Sequence, residues 1–359
     1  MALIVNKAFR PMRIKRFNKR MVKKHEQVVD SYDEQLRELC AIRNPELRTN
    51  QKLLREKQTE FIFEHLGKRK SEECGTWFFF PWLGTYVHYL ESPLHEELRT
   101  ARNKNLITSE EQSSFRNFPI AVAGLSVGSH AALSIVLQGG GSDLRLADPD
   151  IISGSNLNRI RTGFQSVGQK KTSVAAREIY AMNPYAKLQL YPVGLSQTNI
   201  KKFLTHPKPV GAIIEETDDL ELKISIRIEA KKLRIPVIMA ADNGDGIILD
   251  VERYDLDPDT PMLQGRAEGI TPEMIRKATP AEFADILTRV IDPSAVVPRM
   301  RSSVGEVGKT LYSWPQLGGA AQMAGVVLAY AARMIATRQP LKSGRTIISL
   351  ENILSNFTV

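Results

Sequence analysis

Residues 120–171 constrain this chain more than any other stretch. Ile120 to Ala123 is a short apolar run of β-forming residues, which predicts a buried parallel strand. Gly124-Leu-Ser-Val-Gly128-Ser129 turns the chain, and Ser129 to Leu137 has the small and aliphatic residues of a helix packed on a sheet. Leu144 to Asp148 reads as the next strand. A turn of this kind aims backbone N–H groups and a helix N-terminus at an anion. Asp148 follows Gly124 by 24 residues, near the spacing at which an acid meets a ribose hydroxyl. The dinucleotide fingerprint is incomplete, because its second and third glycines fall on Ser126 and Ser129. The turn alone therefore fits a structural connection as well as it fits a nucleotide.

The residues downstream change that balance. Asn156, Arg159 and Lys171 follow within turn-like sequence, SGSNLNR and then SVGQKK. A hydride-transfer enzyme has no need of two cations and an amide there. Attack on a triphosphate does, because negative charge develops on phosphate oxygens in the transition state. A third apolar run, Gly211 to Ile214, ends in an acidic cluster that includes Asp218 and Asp219. Ligands of open α/β sheets bind at the tips of parallel strands, and a carboxylate there suits Mg²⁺ held jointly with phosphates. Asp218 or Asp219 could instead cap the helix that DLELKISIRIEAKK predicts, and the two roles are compatible if Asp219 is the cap.

From about Arg99 to about Thr337 the chain resembles the ThiF/MoeB/HesA adenylyltransferases and the adenylation domains of ubiquitin-activating enzymes. The resemblance is carried by ordered motifs: Arg99-Thr-Ala-Arg102, Gly124 to Gly128, Asp148-Pro-Asp150, Ser155 to Arg159, Gly168 to Lys171, Asn183-Pro184 and Thr217-Asp218-Asp219. It implies an α/β fold: a Rossmann-like, mostly parallel sheet with helices on both faces, preceded by a smaller, mainly helical N-terminal domain. It implies ATP and Mg²⁺ as cofactors. Gly124, Ser126, Gly128, Asp148, Asp150 and Asn156 would then line the nucleotide, with Asp148 on the ribose. Arg159 and Lys171 would contact the triphosphate and the transition state, and Asp218 would hold the metal. Arg102 would reach into the ATP site of the partner in a homodimer. The implied chemistry is attack of a substrate carboxylate on the α-phosphate of ATP, giving an acyl adenylate and pyrophosphate. The chain departs from the family pattern in three places. Its turn is GLSVGS, Ile160 replaces the glutamine that usually follows the motif arginine, and no cysteine follows Cys74.

Two cysteines, Cys40 and Cys74, make neither a disulfide framework nor the four-thiolate zinc site of some relatives, so no structural zinc is expected. With both cysteines upstream of the nucleotide motifs, an enzyme-bound thioester is not expected either. The formal net charge is +9, and residues 1–24 hold nine Lys/Arg and no acid. Ile14, Phe17 and Met21 recur among these cations at helical spacing, a pattern that fits a solvated tail or docking on an anionic partner, RNA or membrane. No apolar signal core opens the chain and no run of about 18 apolar residues occurs, so a cytoplasmic protein without a membrane span is expected. Met323–Ala336 reads as a buried helix interrupted by Arg333.

The expected organisation is a basic tail over 1–25, a helical and aromatic domain over 26–95, an adenylation domain over 96–345 and a C-terminal segment over 346–359. Asn44-Pro45 marks a break between two helices. The aromatic run from Trp77 to Tyr89 reads as core or subunit interface, with His88 packing. Asp242, Asp245 and Asp250 read as a glycine-bearing turn, and 260–310 as an irregular insertion that binds the acceptor.

The leading expectation is an ATP-dependent adenylyltransferase acting on the C-terminal carboxylate of a ubiquitin-like or sulfur-carrier protein. A second keeps the chemistry but moves it to a carboxylate on modified tRNA or a peptide. A third is a non-catalytic subunit that keeps the fold as a binding scaffold, against which the joint retention of Arg102, Asn156, Arg159, Lys171 and Asp218 argues.

Overall fold

The computed structural model describes residues 9–355. The chain forms two compact units, residues 9–112 with 180–185, and residues 113–179 with 186–355.

The N-terminal unit is a four-stranded sheet covered by helices. Its elements are β1 (Met12–Ile14), β2 (Gln27–Asp30), α1 (Tyr32–Arg43), α2 (Gln51–Leu66), β3 (Thr76–Phe80), β4 (Thr85–Tyr89) and α3 (Ser92–Thr100). The strands run in the order β1-β3-β4-β2. The aromatic run is the hairpin β3–β4, and its rings form the core. Trp77 and Tyr32 stack on opposite sides of His88 with centroids 4.2 Å away in each case. His88 is fully buried, bonded through Nδ1 to Asp30 and through Nε2 to the Cys74 carbonyl. It packs, as its sequence context indicates.

Two expectations need correction here. Residues 12–24 do not form a helix with a free apolar stripe. Met12–Ile14 pairs antiparallel with β3, and the Phe17 ring stacks on Trp77 at 3.8 Å. Sheet pairing and a nearby aromatic partner outweigh the helical spacing of Ile14 and Phe17. Residues 1–8 lie outside the described residues. Val28 and Val29, within the domain expected to be mainly helical, lie on β2. Their β-branched side chains favour that conformation.

The larger unit is built on a seven-stranded sheet, with α4 (Ser109–Asn117) leading into it. There follow β5 (Ile120–Ala123), α5 (Val127–Leu137), β6 (Asp143–Ala147), α6 (Lys171–Met182), β7 (Lys187–Tyr191), α7 (Ile200–Thr205), β8 (Ala212–Glu215), α8 (Leu220–Leu233), β9 (Val237–Asn243) and β10 (Gly246–Glu252). The remaining elements are α9 (Pro272–Lys277), α10 (Pro280–Ile291), α11 (Pro298–Ser303), α12 (Gly318–Ala336), β11 (Gly344–Ser349) and α13 (Leu350–Ser355). The order is β11-β10-β9-β8-β5-β6-β7. Pairings from β9 to β7 are parallel, while β10 is antiparallel to both β9 and β11. This is the expected α/β fold. All four residues of β5 are buried, as continuous apolar runs in a doubly covered parallel sheet must be.

The segment 260–310 is not irregular. It folds into α9, α10 and α11, each led by a proline in its first turn. Thr279 and Glu282 form a capping box at the start of α10. Asp242 and Asp250 are not turn residues but lie on β9 and β10 of a tight hairpin. Helix α12 is longer than the buried segment read from sequence. Over 18 residues its mean hydropathy is 1.3, enough by length and composition to cross a membrane, but it packs on α5 and β9 and half of that window is buried.

Candidate functional site

Strand order reverses around β5, whose neighbours β6 and β8 lie on opposite sides. The crevice beyond the carboxyl ends of β5 and β8 is the topological switch point of the sheet. Gly124 follows β5, Asp148 follows β6, Thr217 and Asp218 follow β8, and Asp242 lies near the end of β9.

Gly124 is required twice over. Its φ is +87°, and a Cβ there would lie 2.2 Å from the Glu216 carbonyl oxygen. At Gly128 a Cβ would lie 2.8 Å from Val122, so this glycine lets α5 approach β5 closely. Ser126 precedes α5 without capping it through its side chain, so the first N–H groups of the helix point outward uncapped. Its hydroxyl instead accepts from Arg159 Nε at 3.0 Å. Arg159 Nη1 also donates to Asn158 Oδ1 at 3.0 Å, and its backbone carbonyl is bonded to His130 on α5. Asn156 accepts the Ser153 N–H through its side-chain oxygen and so shapes the short 3-10 turn that carries Arg159. Ile160, the departure from the family pattern, is buried in a small cluster with Ile152 and Val174, and it anchors this loop by packing.

The acids on the β6 side are rigidly held. Asp148 is buried and accepts the N–H of Leu125 at 2.7 Å and of Asp150 at 2.8 Å. Lys171, buried at the start of α6, reaches Asp150 at 2.8 Å and Asp148 at 3.7 Å. Asp148, Asp150, Lys171 and the glycine turn therefore form one cluster.

On the β8 side Asp218 is exposed, and its neighbour Asp219 caps α8 by accepting from the Leu222 N–H at 2.9 Å. The cap of α8 is thus Asp219 and not Asp218. Arg159 and Asp218 interact electrostatically, which links the two sides of the crevice. Arg102 is exposed on a 3-10 turn of the N-terminal unit.

Sequence reasoning missed the residues that open a cavity of about 250 Å³ beside this crevice. Its lining includes Ser126 and Asp218 together with Glu216, Asp242 and Gln316. Glu216 accepts the Ala240 N–H at 2.8 Å, and burial pushes its carboxyl well above the usual range. Asp242 Oδ2 accepts from Gln316 at 3.1 Å, whereas its Oδ1 is shut off from solvent and has no hydrogen-bond partner among the described residues. Burial pushes Asp242 up to about 6, with Gln316 and Arg159 opposing and Asp218 adding to the rise. The signal for Asp242 was present in the sequence: VIMAAD is an apolar run ending in an acid, the same pattern that marked Asp148 and Asp218.

The model of the ThiF family matches residues 100–339. This chain belongs to the ThiF family. An uncharacterized protein of Mycobacterium tuberculosis is 34% identical over 284 residues, which cover 79% of this chain and 39% of that protein. The chain therefore spans about two fifths of that relative's length. A tRNA threonylcarbamoyladenosine dehydratase of Bacillus subtilis is 26% identical over 193 residues, 52% of this chain and 74% of the relative. A sulfur carrier protein adenylyltransferase of Thermus thermophilus is 23% identical over 133 residues, 37% of this chain and 48% of the relative.

Proposed function

We propose that this ThiF-family protein uses ATP to activate a carboxylate, joining it to the α-phosphate as an acyl adenylate with release of pyrophosphate. The observation that carries the reading is the convergence, at one switch point, of an uncapped helix N-terminus with Arg159, Lys171 and Asp218. The N–H groups of α5 and the two cations match the charge that builds on phosphate oxygens as the carboxylate attacks. Asp148, locked by two backbone N–H groups, keeps lone pairs for the ribose hydroxyls. The substrate supplies its own nucleophile, so the protein's work is positioning and charge neutralisation.

No group of three or more His, Cys, Asp or Glu that could hold a metal occurs among the described residues. One exposed carboxylate suits Mg²⁺, which binds one or two protein carboxylates together with nucleotide phosphates and keeps several waters. Asp218 would hold it, and the ion would supply charge neutralisation on the phosphates. The proposed substrate is the carboxyl terminus of a polypeptide such as a ubiquitin-like or sulfur-carrier protein, a reading supported by the name of the Thermus relative. The working unit we propose is a homodimer in which Arg102 serves the site of the second copy.

ATP–pyrophosphate exchange with candidate carrier proteins tests the reading. Arg159→Ala and Lys171→Ala are each expected to lower exchange by about 10²–10³-fold. Asp218→Ala is expected to be as severe and to shift the Mg²⁺ dependence. Near-native exchange in all three variants would overturn the assignment of this site.

A further inference from the structure

The two serines that stand at glycine positions of the dinucleotide fingerprint make side-chain bonds that glycine cannot make. Ser129, in the first turn of α5, donates its hydroxyl to the Ser126 carbonyl at 2.8 Å. Ser126 in turn accepts from Arg159 Nε at 3.0 Å. A continuous chain of bonds thus runs from α5 through the phosphate turn to the motif arginine.

These bonds leave the guanidinium one open edge. Its Nη1 donates to Asn158 Oδ1 at 3.0 Å and to the Ser155 carbonyl at 3.3 Å. Nε and Nη1 are thereby engaged, while Nη2 makes no hydrogen bond among the described residues. Asn158 is itself fixed, because its Nδ2 donates to the Gln316 carbonyl at 2.8 Å. Ser126 is the residue before α5, so the cation is pinned at the positive end of that helix. Such a placement is unfavourable by itself, since a helix N-terminus favours anions over cations. It becomes favourable when a phosphate lies between the two and is shared by them.

We propose that Ser126 is a positioning residue of the nucleotide site, whose hydroxyl holds the Arg159 guanidinium so that Nη2 is presented to the phosphates of ATP. The inference rests on the adenylation reading and gives a role to the serine that replaces the second glycine of the fingerprint. Without the hydroxyl the arginine side chain is free to turn, and the loss of its rotamer freedom then falls on the binding step.

Calorimetry with ATP and Mg²⁺, and separately with adenosine, tests this on the full chain as wild type, Ser126→Ala, Arg159→Ala and the double variant. Ser126→Ala is expected to weaken ATP about fivefold, the effect of immobilising one long side chain on binding, and to leave adenosine unchanged. In the Arg159→Ala background the same substitution is expected to change nothing, because the hydroxyl then has no guanidinium to hold. The Arg159 Nε–H resonance, assigned by its absence in Arg159→Ala, is expected to lose its protection from exchange with water in Ser126→Ala. Unchanged ATP affinity in a Ser126→Ala protein that melts like wild type overturns the positioning role and leaves the nucleotide site standing. An equal loss with and without Arg159 overturns it as well, and makes the hydroxyl a direct contact of the nucleotide. An equal loss for adenosine marks a deformed turn and also overturns it. Absence of ATP binding by wild type overturns the nucleotide reading and the inference together.

Discussion

Asp242 gives the site a measurable pH signature. Burial pushes its carboxyl up to about 6, above the usual value of 3.8, so the folded state holds this proton more tightly than the unfolded chain does. The stability it contributes is therefore fully present below about pH 3.8 and is lost as pH rises through about 6. Asp242→Asn keeps the shape and removes the ionisation. The variant is expected to melt above wild type at pH 7.5, with the difference closing near pH 4. A difference of equal size at both pH values would mean that ionisation is not its cause. At this scale the sequence was informative where a residue type implies its own chemistry. The acids and cations of the motifs cluster as their spacing indicates, with Lys171 on Asp150 and Asp219 capping α8. It was less informative where a role depends on what lies across the sheet, and the apolar run ending in Asp242 was a signal left unused. Asp242 reads as a turn residue until β9 is placed beside β8, and only then does its carboxylate join the strand tips of the site.

The elements beneath the crevice are tied by a buried charge network. Arg227 of α8 is bonded to Glu215 of β8 at 2.6 Å and to Glu252 of β10 at 2.8 Å, and all three are fully buried. Tyr254 and the Leu263 N–H complete the Glu252 carboxylate at 2.8 Å each. Burial alone would raise the Glu215 carboxyl, but Lys223 and Arg227 outweigh it and hold the group down at about 2. The stability from Glu215 is thus present above about pH 4.5 and is lost as pH falls through about 2. Glu215→Gln breaks one side of the network and leaves Arg227 under-compensated, which costs about 3–5 kcal/mol when a buried pair loses a partner. Denaturant melts at pH 7 measure this, and a loss below about 1 kcal/mol would remove the network as the support of the β8 tip. The strands and helices from β5 to β9 were legible because long apolar runs end at glycine or acid. Helices α9 to α11 were not, because they are short, each of 6 to 12 residues, and their apolar faces acquire meaning only where α9 packs on α8 and where α10 and α11 line the cavity. The cap at Thr279-Pro-Ala-Glu282 was the available local signal. Strand β1 was hidden for a different reason. Cations on an edge strand face solvent, and the pairing that makes it a strand comes from the aromatic hairpin more than 60 residues away.

At the scale of the whole molecule, each unit has its own core, and the motif arginine Arg102 lies in the N-terminal unit while Asp148, Arg159, Lys171 and Asp218 lie in the larger one. Both cysteines are buried in the N-terminal unit, and burial raises each thiol pKa, which favours the unreactive thiol over the thiolate. Onward transfer from an adenylate would then depend on a nucleophile brought by the acceptor. The chain order of Arg102, the glycine turn and Asp218 could be read directly from the sequence, but an arginine serving a second copy makes no contact within its own chain that would reveal the role. Subunit complementation separates the two arrangements. Arg102→Ala and Asp218→Ala proteins are each expected to be nearly inactive in ATP–pyrophosphate exchange. In a homodimer that shares Arg102 across copies, a mixed dimer carries one site with both defects and one with neither. Mixing equal amounts, with exchange of subunits verified by tagged copies, yields about half of the dimers in mixed form, each with one intact site, so about a quarter of wild-type activity is expected to return. If Arg102 served its own chain, every site in the mixture would keep one defect and no activity would return. A monomer by sedimentation at the working concentration, or no recovery in dimers known to be mixed, would exclude the shared site and return Arg102 to its own chain.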